Sequence, residues 1–308
     1  MQKIKILLIG TGNIAKEHHR AFSCFDDFEF VGVVARNKKK MSKFANDLKI
    51  SYFSNNLEEA HKKLKPDLVI VATSIINTYK VCLKLINFNS VIFVEKPLGF
   101  NFFETKKLVD LINFKKRKVF IALNRRNYFS TRMLQKAISK TVSKRVVIVN
   151  DQTILKRLNK NIPKKIVKNY MYANSVHLID YFSIFCRGKL NSIQTFNKFN
   201  KKPFFVSAKL NFSSGDLGIY SGVYDRESPW HVSVFVDKKT YILKPLEKIA
   251  SSVKLTKKEI KFSNDTEYKP GFKLQAKEVL NFFKKISYNL TDHNEYFKTV
   301  VLIKKIYK

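Results

Sequence analysis

One short cluster in this 308-residue sequence has both the residue types and the spacing to bind a phosphate-bearing ligand. Gly10-Thr11-Gly12-Asn13-Ile14-Ala15 follows the apolar run Ile4, Ile6, Leu7, Leu8, Ile9, which reads as a buried strand. From Asn13 onward the apolar residues fall at helical spacing: Ile14, Ala15, His18, Ala21 and Phe22. A strand, a glycine turn and a helix start, in that order, can cradle a pyrophosphate. Gly10 permits the tight turn, Gly12 lets the backbone come close, and Ala15 allows the helix to pack on the strand. The helix N-terminus adds free N–H groups and a partial positive charge. On this reading Gly10, Thr11, Gly12, Asn13 and Ile14 hold the cofactor. A second strand, 28–35, ends in Ala35-Arg36-Asn37 where an acidic residue accepting the ribose hydroxyls of NAD is usual. An arginine there accommodates a 2′-phosphate, so Arg36 favours NADP slightly over NAD. The same side chain can instead stack on the adenine of either cofactor.

The elements that must position these residues alternate regularly. After the second strand come helices at 38–48 and 57–64 around a short strand near 51–53, then an apolar strand at 68–72 ending at Thr73-Ser74. A helix at 77–88, a strand at 91–94 ending in Glu95-Lys96-Pro97, a helix at 102–114 and a strand at 119–123 complete the first half. Strands apolar on both faces, alternating with helices, specify a parallel sheet covered on each side. In such sheets ligands sit beyond the strand C-termini, where Gly10, Arg36, Thr73, Lys96 and Asn124 are expected to converge. Beyond Asn124-Arg125-Arg126 the rhythm changes. A helix near 131–139, a strand at 145–150, a lysine-rich loop at 155–169 and a helix at 175–185 lead into strands at 192–196, 204–212, 217–223, 231–236 and 240–244. These read as an antiparallel meander, closed by helices at 272–286 and 294–307. The expected organisation is an α/β Rossmann domain, residues 1–123, and an α+β domain with a large, mostly antiparallel open sheet, residues 124–308.

Composition narrows the function. The net charge of +35 invites a nucleic-acid reading. The lysines, however, are spread along the whole chain beside an excess of Asn, Ile and 27 Phe. All of these residues have A/T-rich codons, and no nucleic-acid-binding signature accompanies them, so no specific nucleic-acid partner is expected. No apolar run reaches a membrane span, and the N-terminal run lacks a signal-peptide cleavage site. Cys24, Cys82 and Cys186 have neither disulfide nor zinc spacing, no metal is expected, and a reducing cytoplasm is the expected compartment.

Together with the glycine turn, Glu95-Lys96-Pro97 at a strand end, Asn124-Arg125-Arg126, and Asn174-Ser175-Val176-His177-Leu178-Ile179-Asp180 opening a helix resemble the Gfo/Idh/MocA family of oxidoreductases over nearly the whole chain. The resemblance implies an NAD(P)-dependent dehydrogenase or reductase that moves hydride to or from a secondary alcohol or ketone of a sugar, cyclitol or sugar derivative. It places Lys96 beside the nicotinamide and the reacting hydroxyl, often with a cis peptide at Lys96-Pro97, and makes His177 the acid/base. It also implies Glu95, Lys96 and Thr73 at the cofactor, Arg126 and Asn174 with Lys96 and His177 at the substrate, and a homodimer or homotetramer built on the open sheet. These roles make chemical sense: hydride leaves a carbinol carbon only as the hydroxyl loses its proton, a histidine titrates near working pH, and a fixed ammonium stabilises the developing alkoxide.

Two departures stand out. Ala173 occupies the position, four residues before His177, where relatives commonly carry an Asp, and Thr78 replaces a frequent histidine. Asp180 can orient the imidazole, or be structural as is common in the family. Ala173 motivates the alternative of a cofactor-binding sensor or regulator that keeps the fold without the chemistry. His18 and His19 read as helix-surface or packing residues. Lys156, Arg157, Lys160, Lys164, Lys165 and Lys168 read either as a clamp for an anionic, nucleotide-linked sugar or as a solvated loop.

Overall fold

The computed structural model describes residues 2–153, 163–197, 204–224, 229–253, 256–259 and 267–308. The chain divides into two compact units, Met1–Asn124 with Thr266–Phe297, and Arg125–Asp265 with Lys298–Lys308. Lys156, Arg157 and Lys160 of the lysine-rich stretch lie outside the described residues.

In the first unit the six strands β1 (Ile4–Ile9), β2 (Phe28–Val34), β3 (Phe53–Ser54), β4 (Leu68–Val71), β5 (Val91–Glu95) and β6 (Val119–Ala122) form one parallel sheet in the order β3-β2-β1-β4-β5-β6. This is the doubly wound order. Its direction reverses between β1 and β4, which opens a crevice at their C-terminal ends. Helices α1 (Asn13–Phe22), α2 (Lys38–Asp47), α3 (Leu57–Leu64), α4 (Ile75–Leu85) and α5 (Phe102–Phe114) connect the strands. All four residues of β4 are fully buried, as a strand covered on both faces requires.

In the second unit β7 (Arg145–Gln152), β8 (Leu190–Asn197), β9 (Phe205–Phe212), β10 (Leu217–Val223), β11 (His231–Val236), β12 (Lys239–Leu243), β13 (Ala250–Val253) and β14 (Thr256–Glu259) make a mixed, mostly antiparallel sheet. Its order is β14-β13-β12-β11-β7-β10-β9-β8. The expected meander is interrupted: β7 lies in the middle, antiparallel to β11 and parallel to β10. Alternation along β7, with Val147 and Val149 buried, says which face turns inward but not which strand lies alongside. Helices α6 (Phe129–Ile138), α7 (Lys164–Lys168) and α8 (Val176–Phe185) belong to this unit. Gly218 in β10 admits the ring of Phe182 from α8, which would stand 2.9 Å from a Cβ there.

The first unit also takes in α9 (Phe272–Phe283), a segment the sequence reading places after residue 124. The reason is apolar burial. Phe272, Ala276, Val279 and Leu280 enter the same core as Phe22, Phe93 and Phe120. The following segment lies along β6, where Ile121 N–H donates to Thr291 O at 2.8 Å. The closing helix α10 (His293–Ile306) is divided between the units at Phe297. Among the described residues no helix is long and apolar enough to cross a membrane.

Candidate functional site

The glycine turn is built as the spacing demands. Gly10 has φ +116°, and a Cβ there would stand 2.2 Å from Ala72 O, so β1 and β4 can approach only with glycine at this point. Gly12 is different. Its backbone, φ −86° and ψ 176°, is extended and open to any residue. Apart from its chain neighbours, no described atom lies within 4 Å of where its Cβ would be, so a side chain there would enter open space. The start of α1 is likewise left open. Asn37, Asn56 and Asn101 accept hydrogen bonds from Lys40, Glu59 and Glu104 N–H at 2.9, 3.1 and 2.8 Å and so cap α2, α3 and α5. Among the described residues no side chain caps α4 or α1, and the first turn of α1 carries no acid. The N–H groups of that turn thus face outward with the positive end of the helix dipole.

A cleft of about 1320 Å³ opens there, and Gly10, Thr11, Gly12, Asn13 and Ile14, with Arg36 and Thr73, line it. Its cations are Arg36, Lys80 and Lys84; its one carboxylate, Glu58, is bound to Lys84 at 2.8 Å. That hydrogen bond holds the Glu58 carboxyl below its ordinary value. Thr73 Oγ1 lies 3.3 Å from Oγ1 of the buried Thr78, which also donates to Ser74 O. Thr78 therefore braces the β4 turn. Asn124 does not face this cleft; its Nδ2 donates to Pro270 O at 3.2 Å and secures the entry to α9.

Glu95 and Lys96 end β5, and the Lys96-Pro97 peptide is cis, as the resemblance implied. The lining of the cleft does not reach them among the described residues. The Glu95 carboxylate, expected at the cofactor, is turned to His18, whose Nε2 stands 2.8 Å from Oε1. His18 is fully buried, and the sequence reading missed this partnership. The signal was present: His18 shares the apolar stripe of Ile14, Ala15, Ala21 and Phe22, and a histidine on a buried face requires a polar partner. His19, by contrast, packs against Phe30, and burial lowers its pKa.

In the second unit, the segment before α8 is wound as a π-helical turn, Met171–Ser175, a rare form that recurs at functional positions. The four-residue step from Ala173 to His177 is consequently not a regular α turn. Asn174 lies in this turn and its Nδ2 donates to Tyr170 Oη; His177 is buried in α8. The guanidinium of Arg126, expected at the substrate, grips Asp180 through two bonds of 2.6 and 2.7 Å. Thr299 also donates to Asp180, at 2.9 Å, so the structural role of Asp180 is the one observed. Below the π turn lies a fully buried carboxylate, Asp151. It accepts from Tyr220 and Tyr224 at 2.9 and 3.2 Å; Tyr307 bonds both tyrosines, and Ser175 Oγ lies 3.2 Å from Tyr224 Oη. Burial raises the Asp151 pKa.

Residues 4–123 match the model of a family described as "Oxidoreductase family, NAD-binding Rossmann fold". This is the Gfo/Idh/MocA family, to which residues 4–123 are similar. An oxidoreductase from Formosa agariphila is 29% identical over 120 residues, a stretch that covers 39% of this chain and 37% of that relative. The fold extends beyond the matched segment. A dehydrogenase from Chromobacterium violaceum superposes with a TM-score of 0.84 at 16% identity, covering 99% of this chain and 94% of its own. The WlbA dehydrogenase from Bordetella pertussis, solved with NADH and UDP-GlcNAcA, gives 0.75 at 17% identity, covering 99% and 95%. The shared fold thus takes in both the parallel sheet and the mixed sheet of this chain.

Proposed function

We propose that this chain is an NAD(P)-dependent oxidoreductase that transfers hydride to or from a secondary alcohol or ketone of a sugar, cyclitol or sugar derivative. The observation that carries the reading is the unfilled space at Gly12 beside the uncapped start of α1, which suits the pyrophosphate of a dinucleotide. The nicotinamide of a bound cofactor supplies the site that accepts or gives the hydride. Arg36, with the nearby carboxylate of Glu58 tied to Lys84, supports NADP slightly over NAD. Lys96 is assigned the stabilisation of developing alkoxide charge, His177 the proton transfer, and Asn174 a contact with substrate. The bound ligand of the Bordetella relative makes nucleotide-linked sugars and their acids the first to try. The exposed face of the second sheet, which carries Phe196 and Phe235, is the surface on which a homodimer or homotetramer would form. Free thiols at Cys24, Cys82 and Cys186 accord with a reducing, cytoplasmic setting.

The test is a titration with NADH and NADPH, followed by turnover on a panel of sugars, cyclitols and UDP-sugars. Lys96→Ala is expected to cut kcat by about 100-fold or more with little change in cofactor affinity. Absence of dinucleotide binding would end the reading. Tight binding without turnover on any member of the panel would favour the sensor.

A further inference from the structure

His18 sits on α1, one turn beyond the residues lining the cleft, and its ring is enclosed by Phe22, Phe93 and Phe272 at centroid distances of 6.2, 5.6 and 4.7 Å. Among the described residues its Nδ1 has no hydrogen-bond partner. An N–H at Nδ1 would be an orphan donor in an apolar nest, so the proton belongs on Nε2, where it is donated to Glu95 Oε1 at 2.8 Å. For packing alone a phenylalanine would serve this nest better. A buried imidazole is favourable there only because Glu95 answers it.

We propose that His18 is a positioning residue, which holds the Glu95 carboxylate against α1 and thereby sets the direction in which Lys96 leaves the end of β5. Glu95 is the last residue of β5 and the chain bends at Lys96, so holding the Glu95 side chain fixes the point from which Lys96 departs. Because α1 begins at Gly12, the same bond ties the strand end carrying Lys96 to the helix whose start lines the cleft. The role of Lys96 in turnover rests on the function proposed above; the anchor itself does not.

Two substitutions in the full chain separate anchoring from packing: His18→Phe keeps the aromatic fill without the donor, and His18→Gln returns an N–H near the place of Nε2. In His18→Phe, backbone hydrogen exchange in a peptide covering residues 95–100 is expected to quicken about tenfold or more, and in His18→Gln to return to within about threefold of the parent. With a substrate in hand, kcat of His18→Phe should fall about 30-fold while the Kd for NAD(P)H stays within about threefold. On a Glu95→Ala background His18→Phe should add nothing further. Unchanged exchange at residues 95–100 in His18→Phe would overturn the proposal. So would faster exchange spread evenly over the first unit without recovery in His18→Gln, the mark of a packing residue. A parent chain that binds no dinucleotide would remove the proposed function, and the exchange result would still decide the anchor.

Discussion

The starts of helices α1 and α8 treat polar groups in opposite ways. At α1, among the described residues, no side chain reaches back to the first turn: the cap is a glycine and the space over it is open. Around α8 the side chains are taken by one another. Asn174 is bonded to Tyr170, Ser175 to Tyr224, and the nearby Asp180 to Arg126 and Thr299. Polar backbone left open beside a cleft marks a place for a ligand, whereas the closed bonds of Asp180 and Ser175 brace the helix on which Asn174 and His177 are carried. The difference separates what binds from what braces.

Substitutions at the two places test that contrast, beginning with the greatest effect. Gly10→Ala forces a Cβ against Ala72 O in a left-handed backbone, and is expected to cost about 4 kcal/mol or more in denaturant unfolding, with loss of cofactor binding as a consequence. Arg126→Ala strands Asp180, whose side chain is 2% exposed, and is expected to cost about 3 kcal/mol. It should leave cofactor affinity in the first unit within about twofold. If affinity collapsed with it, the division between binding and bracing would be wrong. The smallest effect belongs to Asp151→Asn. Burial raises this carboxyl's pKa in the fold, so the folded state holds its proton more tightly than the unfolded chain, and the parent loses stability as pH climbs above the ordinary aspartate value. The amide escapes that loss. Its unfolding free energy relative to the parent should therefore rise as the pH is raised from 4 to 8.

How much of this could be read in advance depended on whether a residue's geometry is local. The β1 turn was legible because Gly10 answers a local demand where the strand ends and the turn begins. The parallel sheet followed from strands apolar on both faces. The second sheet was less so: alternation in β7 and β10 fixed their inward faces, but nothing local says that they lie side by side and parallel. Strands β13 and β14, Ala-Ser-Ser-Val and Thr-Lys-Lys-Glu, carry almost no apolar pattern and passed unnoticed at the sheet edge. The return of α9 to the first core, the His18–Glu95 bond and the Arg126–Asp180 pair each join residues at least 54 positions apart. Spacing along the chain cannot reveal such partners, although the place of His18 on an apolar helical stripe was an overlooked sign that it needs one.

The central claim, that the first unit keeps the space at Gly12 clear for a dinucleotide, is tested most directly by calorimetric titration of NADH and NADPH into the parent chain and Gly12→Val. The extended backbone at this position tolerates valine, so the thermal midpoint should move by only a few degrees. The account predicts measurable binding by the parent and at least about tenfold weaker binding by the variant, or about 1.4 kcal/mol. A parent that binds neither dinucleotide, or a variant that binds as tightly as the parent, would contradict it.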